Sequence, residues 1–118
     1  MLNDSYMKKR HYLALDLKDD LTLIEEYENY HAPGHVWPEI IQSIRDSGIT
    51  DMEIYRVGNR MVMMMEVDHN FDFDKKANMD INNPEVQKWE ELMWKFQQPL
   101  PWAKEGEKWM KMDRIFKL

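Results

Sequence analysis

Between Tyr27 and Glu39 the chain reads Tyr-Glu-Asn-Tyr-His-Ala-Pro-Gly-His-Val-Trp-Pro-Glu, which gathers two histidines, two tyrosines and a tryptophan into thirteen residues. Tyr27 and His31 stand four positions apart and share one face of a helix, and Pro33-Gly34 just beyond them breaks or kinks that helix. An imidazole with an ordinary pKa of about 6.5 supplies both acid and base near neutrality, and a phenol adds a donor and an acceptor. Such a pair is equipped to move protons on a sugar. His31 and His35 also form His-x-x-x-His, but the Pro33-Gly34 breaker lies between them and no third ligand has a suitable spacing, so no metal is expected.

The elements that must position these residues follow from periodicity. Leu13, Leu15 and Leu17 alternate with Ala14 and Asp16 in a half-buried strand. Thr22 and Glu25 have capping-box spacing and predict the start of a helical region. That region is disturbed at Pro33-Gly34, resumes near Pro38, runs through Ile40, Ile41 and Ile44, and is capped by Gly48. Met52 to Val57 and Arg60 to Val67 read as a hairpin turned by Gly58-Asn59. A short helix around Phe73 to Met79 follows, and Asn83-Pro84 opens another whose buried stripe is Val86, Trp89, Met93 and Phe96, ended by Pro99 and Pro101. Leu100 to Gly106 is a loop, and alternation from Met110 to Phe116 predicts a final strand.

This order predicts an α+β fold, a ferredoxin-like sandwich with helices on one face of an antiparallel sheet. One domain over residues 1–118 accounts for the length. Met61, Met63, Met64 and Met65 make the sheet more apolar than an open face warrants, so a second copy of the chain is expected against it, giving a homodimer.

Composition removes several function classes. Acidic residues outnumber basic ones 22 to 16 for a net charge of −6, and no basic stripe matches a nucleic-acid backbone. The lead from Met1 to Tyr6 lacks a signal-type apolar run and no later segment reaches bilayer-spanning length, so a cytoplasmic chain with no membrane partner is expected. With no cysteine, disulfides, thiolate metal sites and cysteine nucleophiles are absent. Five tryptophans suit the flat C–H faces of sugars. Trp89 lies on a buried stripe, whereas Trp37 and Trp102 are loop-associated and placed to line a pocket.

Glu26-Tyr27, His31, Pro33, Trp37-Pro38-Glu39, Gly48 and the strand ending Ile54-Tyr55 resemble the L-rhamnose mutarotases, over nearly the whole chain. The resemblance implies a dimeric α+β barrel that interconverts α and β anomers of a 6-deoxy-L-hexose without a cofactor. It implies His31 as catalytic histidine, Tyr27 as substrate-binding tyrosine and Trp89 as the first of two adjacent pocket tryptophans. The chain departs from that pattern at Glu90, where the second tryptophan stands, and at Met52, in place of a pocket tyrosine. Two extra residues between His31 and Trp37 bring in His35, a candidate for the complementary proton group. These differences resemble a branch acting on L-fucose, whose C2 and C4 hydroxyls differ from those of L-rhamnose, with Glu90 as a hydroxyl acceptor. A non-catalytic sugar-binding module and a dimeric-barrel oxygenase or haem-handling protein share the architecture. The Tyr27, His31 and Trp37-Pro38-Glu39 constellation favours the mutarotase; binding without anomer exchange would mark the second, and a Soret band on haem addition the third.

Overall fold

In the computed structural model, which describes residues 8–118, strand β1 (Lys9–Leu17) leads into helix α1 (Leu21–Tyr30) and helix α2 (Pro38–Asp46). The hairpin β2 (Ile49–Val57) and β3 (Arg60–Val67) follows, then α3 (Phe73–Ile81), α4 (Pro84–Trp94) and the two-residue strands β4 (Gln97–Gln98) and β5 (Met110–Lys111). The sheet order is β2-β3-β1-β4, with β5 also pairing β1, and every pairing is antiparallel. This is the ferredoxin-like α+β sandwich read from the sequence. The lead from Met1 to Tyr6 lies outside the described residues.

Directly paired residues share a sheet face, so the register separates the two sides. Leu15 opposes Met61, Leu13 opposes Met63 and His11 opposes Met65; Met52 and Ile54 of β2 face the same way across Met65 and Met63. This side is joined to Ile24, Tyr27, Ile40, Val86, Trp89 and Met93 in the core beneath the helices. Burial of Leu15 and Leu17, at 0% and 1% exposed, anchors it. Three of the four β3 methionines therefore face the helices, and only Met64 lies on the open side, where Tyr12, Tyr55 and Val57 are exposed.

Local chemistry explains where elements begin and end. Asp20, rather than Thr22, caps α1: its carboxylate accepts from the Leu23 N–H at 3.0 Å, so the expected Thr22–Glu25 box is not the cap. β2 begins at Ile49, three residues before the expected Met52, through an irregularity between Ile49 and Asp51. Gly58 at φ 58° and Asn59 make the two-residue hairpin turn, and Asn59 ties back to Leu17 through its side chain and carbonyl. Gly48 adopts φ 97° after α2, and a Cβ there would sit 2.7 Å from Asp68 Oδ1. α4 ends at Trp94, ahead of Pro99 and Pro101, because the chain turns at Lys95-Phe96 to pair Gln97 with Leu17. The final strand is Met110–Lys111 only; residues 112–118 are exposed and carry no regular structure, so the alternation through Phe116 is not strand pairing within this chain.

Candidate active site

Helix α1 stops where the Pro33-Gly34 turn begins, and that stop creates the site. In the last turn the His31 backbone N–H bonds to the Glu28 carbonyl at 3.0 Å, a tightened turn that leaves the Tyr27 carbonyl short of its usual helical partner. The His31 ring takes that place, its Nδ1–H donating to the Tyr27 carbonyl at 2.8 Å. A carbonyl can only accept, so Nδ1 carries the proton and the neutral ring leaves its lone pair on Nε2. The imidazole lies flat on the Tyr27 phenol, with centroids 4.4 Å apart and planes 8° apart, while Trp89 meets it edge-on at 5.6 Å. Burial among these rings pushes His31 below 6.5, against the weaker upward pull of the Tyr27 carbonyl. At neutral pH it is held as a base.

Tyr27 is 4% exposed and its hydroxyl accepts from the Gln97 amide at 3.2 Å. Burial pushes the phenol up to about 12, outweighing the opposing Gln97 bond, so it keeps its proton.

Tyr27, His31, Trp89, Met93 and Gln97 border a cavity of about 690 Å³ between the helices and the sheet. This lies within the ~300–1,000 Å³ usual for small-molecule sites. Leu13, Met52, Met63 and Met65 form its sheet-side wall, with Trp109 joining from the C-terminal segment. Charge is confined to other lining residues: Glu90 faces Lys108 at 3.7 Å, and Lys76 pairs with Asp80 at 2.6 Å. An apolar basin with one phenol, one imidazole and a few charged groups suits a polyhydroxylated ring carrying an apolar methyl. A second cavity of about 330 Å³, bordered by Ser43, Asp46, Asp80, Asn82 and Asn83, holds no comparable proton-transfer pair.

The structure thus brings Tyr27, His31, Met52, Trp89 and Glu90 together at one cavity. Three residues expected there stand elsewhere. Trp37 packs behind Trp89, ring to ring at 5.1 Å, and supports the wall from outside. Trp102 is 68% exposed and lies over the Arg60 guanidinium at 5.4 Å, since the loop that carries it runs on past the cavity. His35 is exposed with its Nδ1 on the Asn29 carbonyl at 2.6 Å, so it is not the complementary proton group at this cavity. Sequence reasoning missed Gln97, Lys108 and Trp109. Aromatic content pointed to Trp109 as readily as to Trp102, but nothing local marks Gln97, which meets Tyr27 only through the β1–β4 pairing. Among the described residues no group of three or more potential ligands is placed to hold a metal, and no helix is long and apolar enough to cross a membrane.

Comparison with known proteins gives this geometry a family. Residues 10–118 match the L-rhamnose mutarotase family. An L-fucose mutarotase from Xanthomonas campestris pv. campestris is 48% identical over 105 residues, covering 89% of this chain and 84% of the relative. A protein from Dictyostelium discoideum is 36% identical over 122 residues, covering 98% and 94%. Among solved structures, the L-rhamnose mutarotase FA22100 from Formosa agariphila superposes with a TM-score of 0.67 at 20% identity, covering 93% of this chain and 98% of that one. Tetracenomycin F2 cyclase from Streptomyces glaucescens, a type-II polyketide cyclase, gives 0.62 at 15% identity, covering 93% and 96%. Two different chemistries on one backbone show why architecture alone does not assign function. It is the sequence match along the length of the chain that decides: the chain belongs to the L-rhamnose mutarotase family and is an isomerase, a sugar mutarotase.

Proposed function

We propose that the protein interconverts the α and β anomers of a 6-deoxy-L-hexose, with L-fucose handled at least as well as L-rhamnose, and that His31 is its acid/base catalyst. The observation that carries this reading is the His31 Nδ1–H bond to the Tyr27 carbonyl, which leaves Nε2 as the basic nitrogen beside a protonated phenol at the cavity. Nε2 accepts the proton of the anomeric hydroxyl as the C1–O5 bond breaks and C1 becomes a carbonyl. The Tyr27 hydroxyl donates to the ring oxygen as charge develops on it. Water entering from the open side of the cavity relays the proton from the imidazolium to O5, so protons balance. Rotation about C1–C2 presents the other carbonyl face, and the same steps in reverse close the ring. No cofactor or metal takes part.

Met52 and Glu90 support the preference for L-fucose. Both border the cavity where the resemblance places a tyrosine and a tryptophan, so stacking surface is replaced by a flexible thioether and a carboxylate acceptor. The relative named an L-fucose mutarotase, at 48% identity, points the same way. Saturation-transfer NMR on L-fucose, L-rhamnose, D-glucose and D-galactose tests the reading. Accelerated exchange of the two 6-deoxy sugars, L-fucose at least equal, is expected. No acceleration with any 6-deoxy-L-hexose would overturn the function, and exchange of L-rhamnose alone would overturn the preference.

We also infer a homodimer formed through the open sheet face. Tyr12, Tyr55 and Val57 are exposed there, and Ile115, Phe116 and Leu118 of the C-terminal segment are each more than three-quarters exposed, which is an apolar surface a second copy would cover. Light scattering after size exclusion should give twice the chain mass, and a monomer at working concentration would refute this. The proposed compartment is the cytoplasm; fractionation of a tagged chain checks it.

A further inference from the structure

The least expected contact in the cavity is polar and fully internal. Gln97, 6% exposed, belongs to the two-residue strand β4 and is held by backbone pairing to Leu17. Its Nε2 donates to the Tyr27 hydroxyl at 3.2 Å across seventy residues of sequence. Among the described residues this is the one hydrogen-bond partner of either side chain's polar group. A two-residue strand is a short anchor, yet it brings one amide to one phenol at a basin whose sheet-side wall is apolar.

A phenol oxygen has a single proton and accepts in the ring plane on the side the proton leaves free. With the Gln97 N–H occupying that side, the Tyr27 O–H turns away from β4. We propose that Gln97 is a positioning residue that fixes Tyr27 as a hydrogen-bond donor toward the sugar, a proposal that rests on the assignment of Tyr27 to the substrate cavity. An amide serves this purpose because it presents a donor without charge. A carboxylate in its place would accept from the phenol, reverse the bond and turn the phenol's lone pairs toward the substrate. A donor is what the ring oxygen needs when C1–O5 breaks, because negative charge develops on O5. The raised Tyr27 pKa, about 12, agrees with a phenol that donates without giving up its proton.

The experiment is a double-mutant cycle read by saturation-transfer NMR with L-fucose, with thermal unfolding of each variant as the folding control. Gln97→Met keeps the volume and removes the donor, so exchange should fall about 2–10-fold, the size of one neutral hydrogen bond. Gln97→Glu reverses the bond and should cost about 10–100-fold, in the range of a charged hydrogen bond. In a Tyr27→Phe background neither change has a hydroxyl to act on, and both should lie within about twofold of Tyr27→Phe alone. Equal losses from Gln97→Met with and without the Tyr27 hydroxyl would overturn the proposal, because Gln97 would then act through the fold. A folded Gln97→Glu variant with undiminished exchange would overturn it as well. Full exchange by Tyr27→Phe itself would instead remove Tyr27 from the reaction, a failure of the site assignment distinguishable from failure of the Gln97 role.

Discussion

His31→Asn separates the two jobs of this imidazole. The Asn side-chain nitrogen falls near the position of His Nδ1, so the amide can still donate to the Tyr27 carbonyl, now held at 2.8 Å. What disappears is Nε2, together with the ring that stacks on Tyr27 at 4.4 Å and meets Trp89 at 5.6 Å. Retaining the anchor preserves about 0.5–1.5 kcal/mol of net hydrogen bonding. Losing the stack costs about 0.5–1.5 kcal/mol. The variant should therefore remain folded, melting a few degrees lower. Loss of a positioned acid/base group typically removes about 10²–10⁴ in rate. That corresponds to roughly 2.7–5.4 kcal/mol in the barrier. Catalysis should thus collapse while stability falls by only about 0.5–1.5 kcal/mol. His31→Gln is the complementary probe: it reaches toward Nε2 but gives up the anchor, and it should be equally slow and less stable. Saturation transfer on L-fucose measures the rate and calorimetry the stability. A folded His31→Asn variant within threefold of wild type would refute the assignment of His31 as the proton-transfer group.

The remaining predictions concern pH, specificity and the frame. Because burial holds His31 below 6.5, kcat/KM should rise with pH to a half-point below 6.5 and stay level through neutrality; a half-point above 7 would contradict the buried-base reading. The same depression makes the unfolded chain bind the extra proton first, so this contribution to stability is present above 6.5 and is lost as pH falls through the lower folded value; His31→Asn should remove that part of the pH dependence of Tm. Glu90 is half exposed and already faces Lys108, so Glu90→Gln should cost L-fucose exchange more than L-rhamnose exchange by about 0.5–1.5 kcal/mol, less than a fully buried charged bond, with equal losses arguing against a specificity role. Gly48→Ala meets both φ 97° and an Asp68 oxygen at 2.7 Å, so chemical denaturation should show a loss of about 1–3 kcal/mol. His35→Ala should leave exchange within about twofold, since His35 is exposed beyond the cavity and its loss deletes about one neutral hydrogen bond.

What could be read in advance was whatever depends on near neighbours in sequence. Alternation through Leu13, Leu15 and Leu17 reports a sheet with one buried face, and the Gly58-Asn59 turn fixes the β2–β3 partnership. Tyr27 and His31 share a face because helical spacing demands it. Competing local signals were harder to rank: Thr22 and Glu25 have capping-box spacing, yet Asp20 is the better-placed oxygen for the Leu23 N–H and sets the start of α1. Trp102 was expected at the pocket because it lies in a loop, but residues between Leu100 and Gly106 have no periodicity to say which way its indole turns. Met110 to Phe116 alternates like a strand, but alternation marks an apolar side without saying which chain supplies the neighbour. Gln97 was invisible because its partner lies seventy residues away.

The two histidines around the helix break show what gives one of them chemistry. Both place Nδ1 on a carbonyl of the last turn of α1, Tyr27 for His31 and Asn29 for His35, so both are fixed in the same tautomer with Nε2 left over. Hydrogen bonding does not separate them. Position does: four residues after Tyr27, the His31 ring must lie back along the face that carries the phenol, between Tyr27 and Trp89, whereas His35 comes after the Pro33-Gly34 turn has swung the chain outward. Only the first is buried among aromatic rings, which lowers its pKa, and only the first borders the cavity. The helix breaker thus has two effects. It ends α1 early enough to free a carbonyl that sets the tautomer of His31, and it carries the second imidazole away, leaving a single imidazole beside a phenol whose hydroxyl accepts from Gln97.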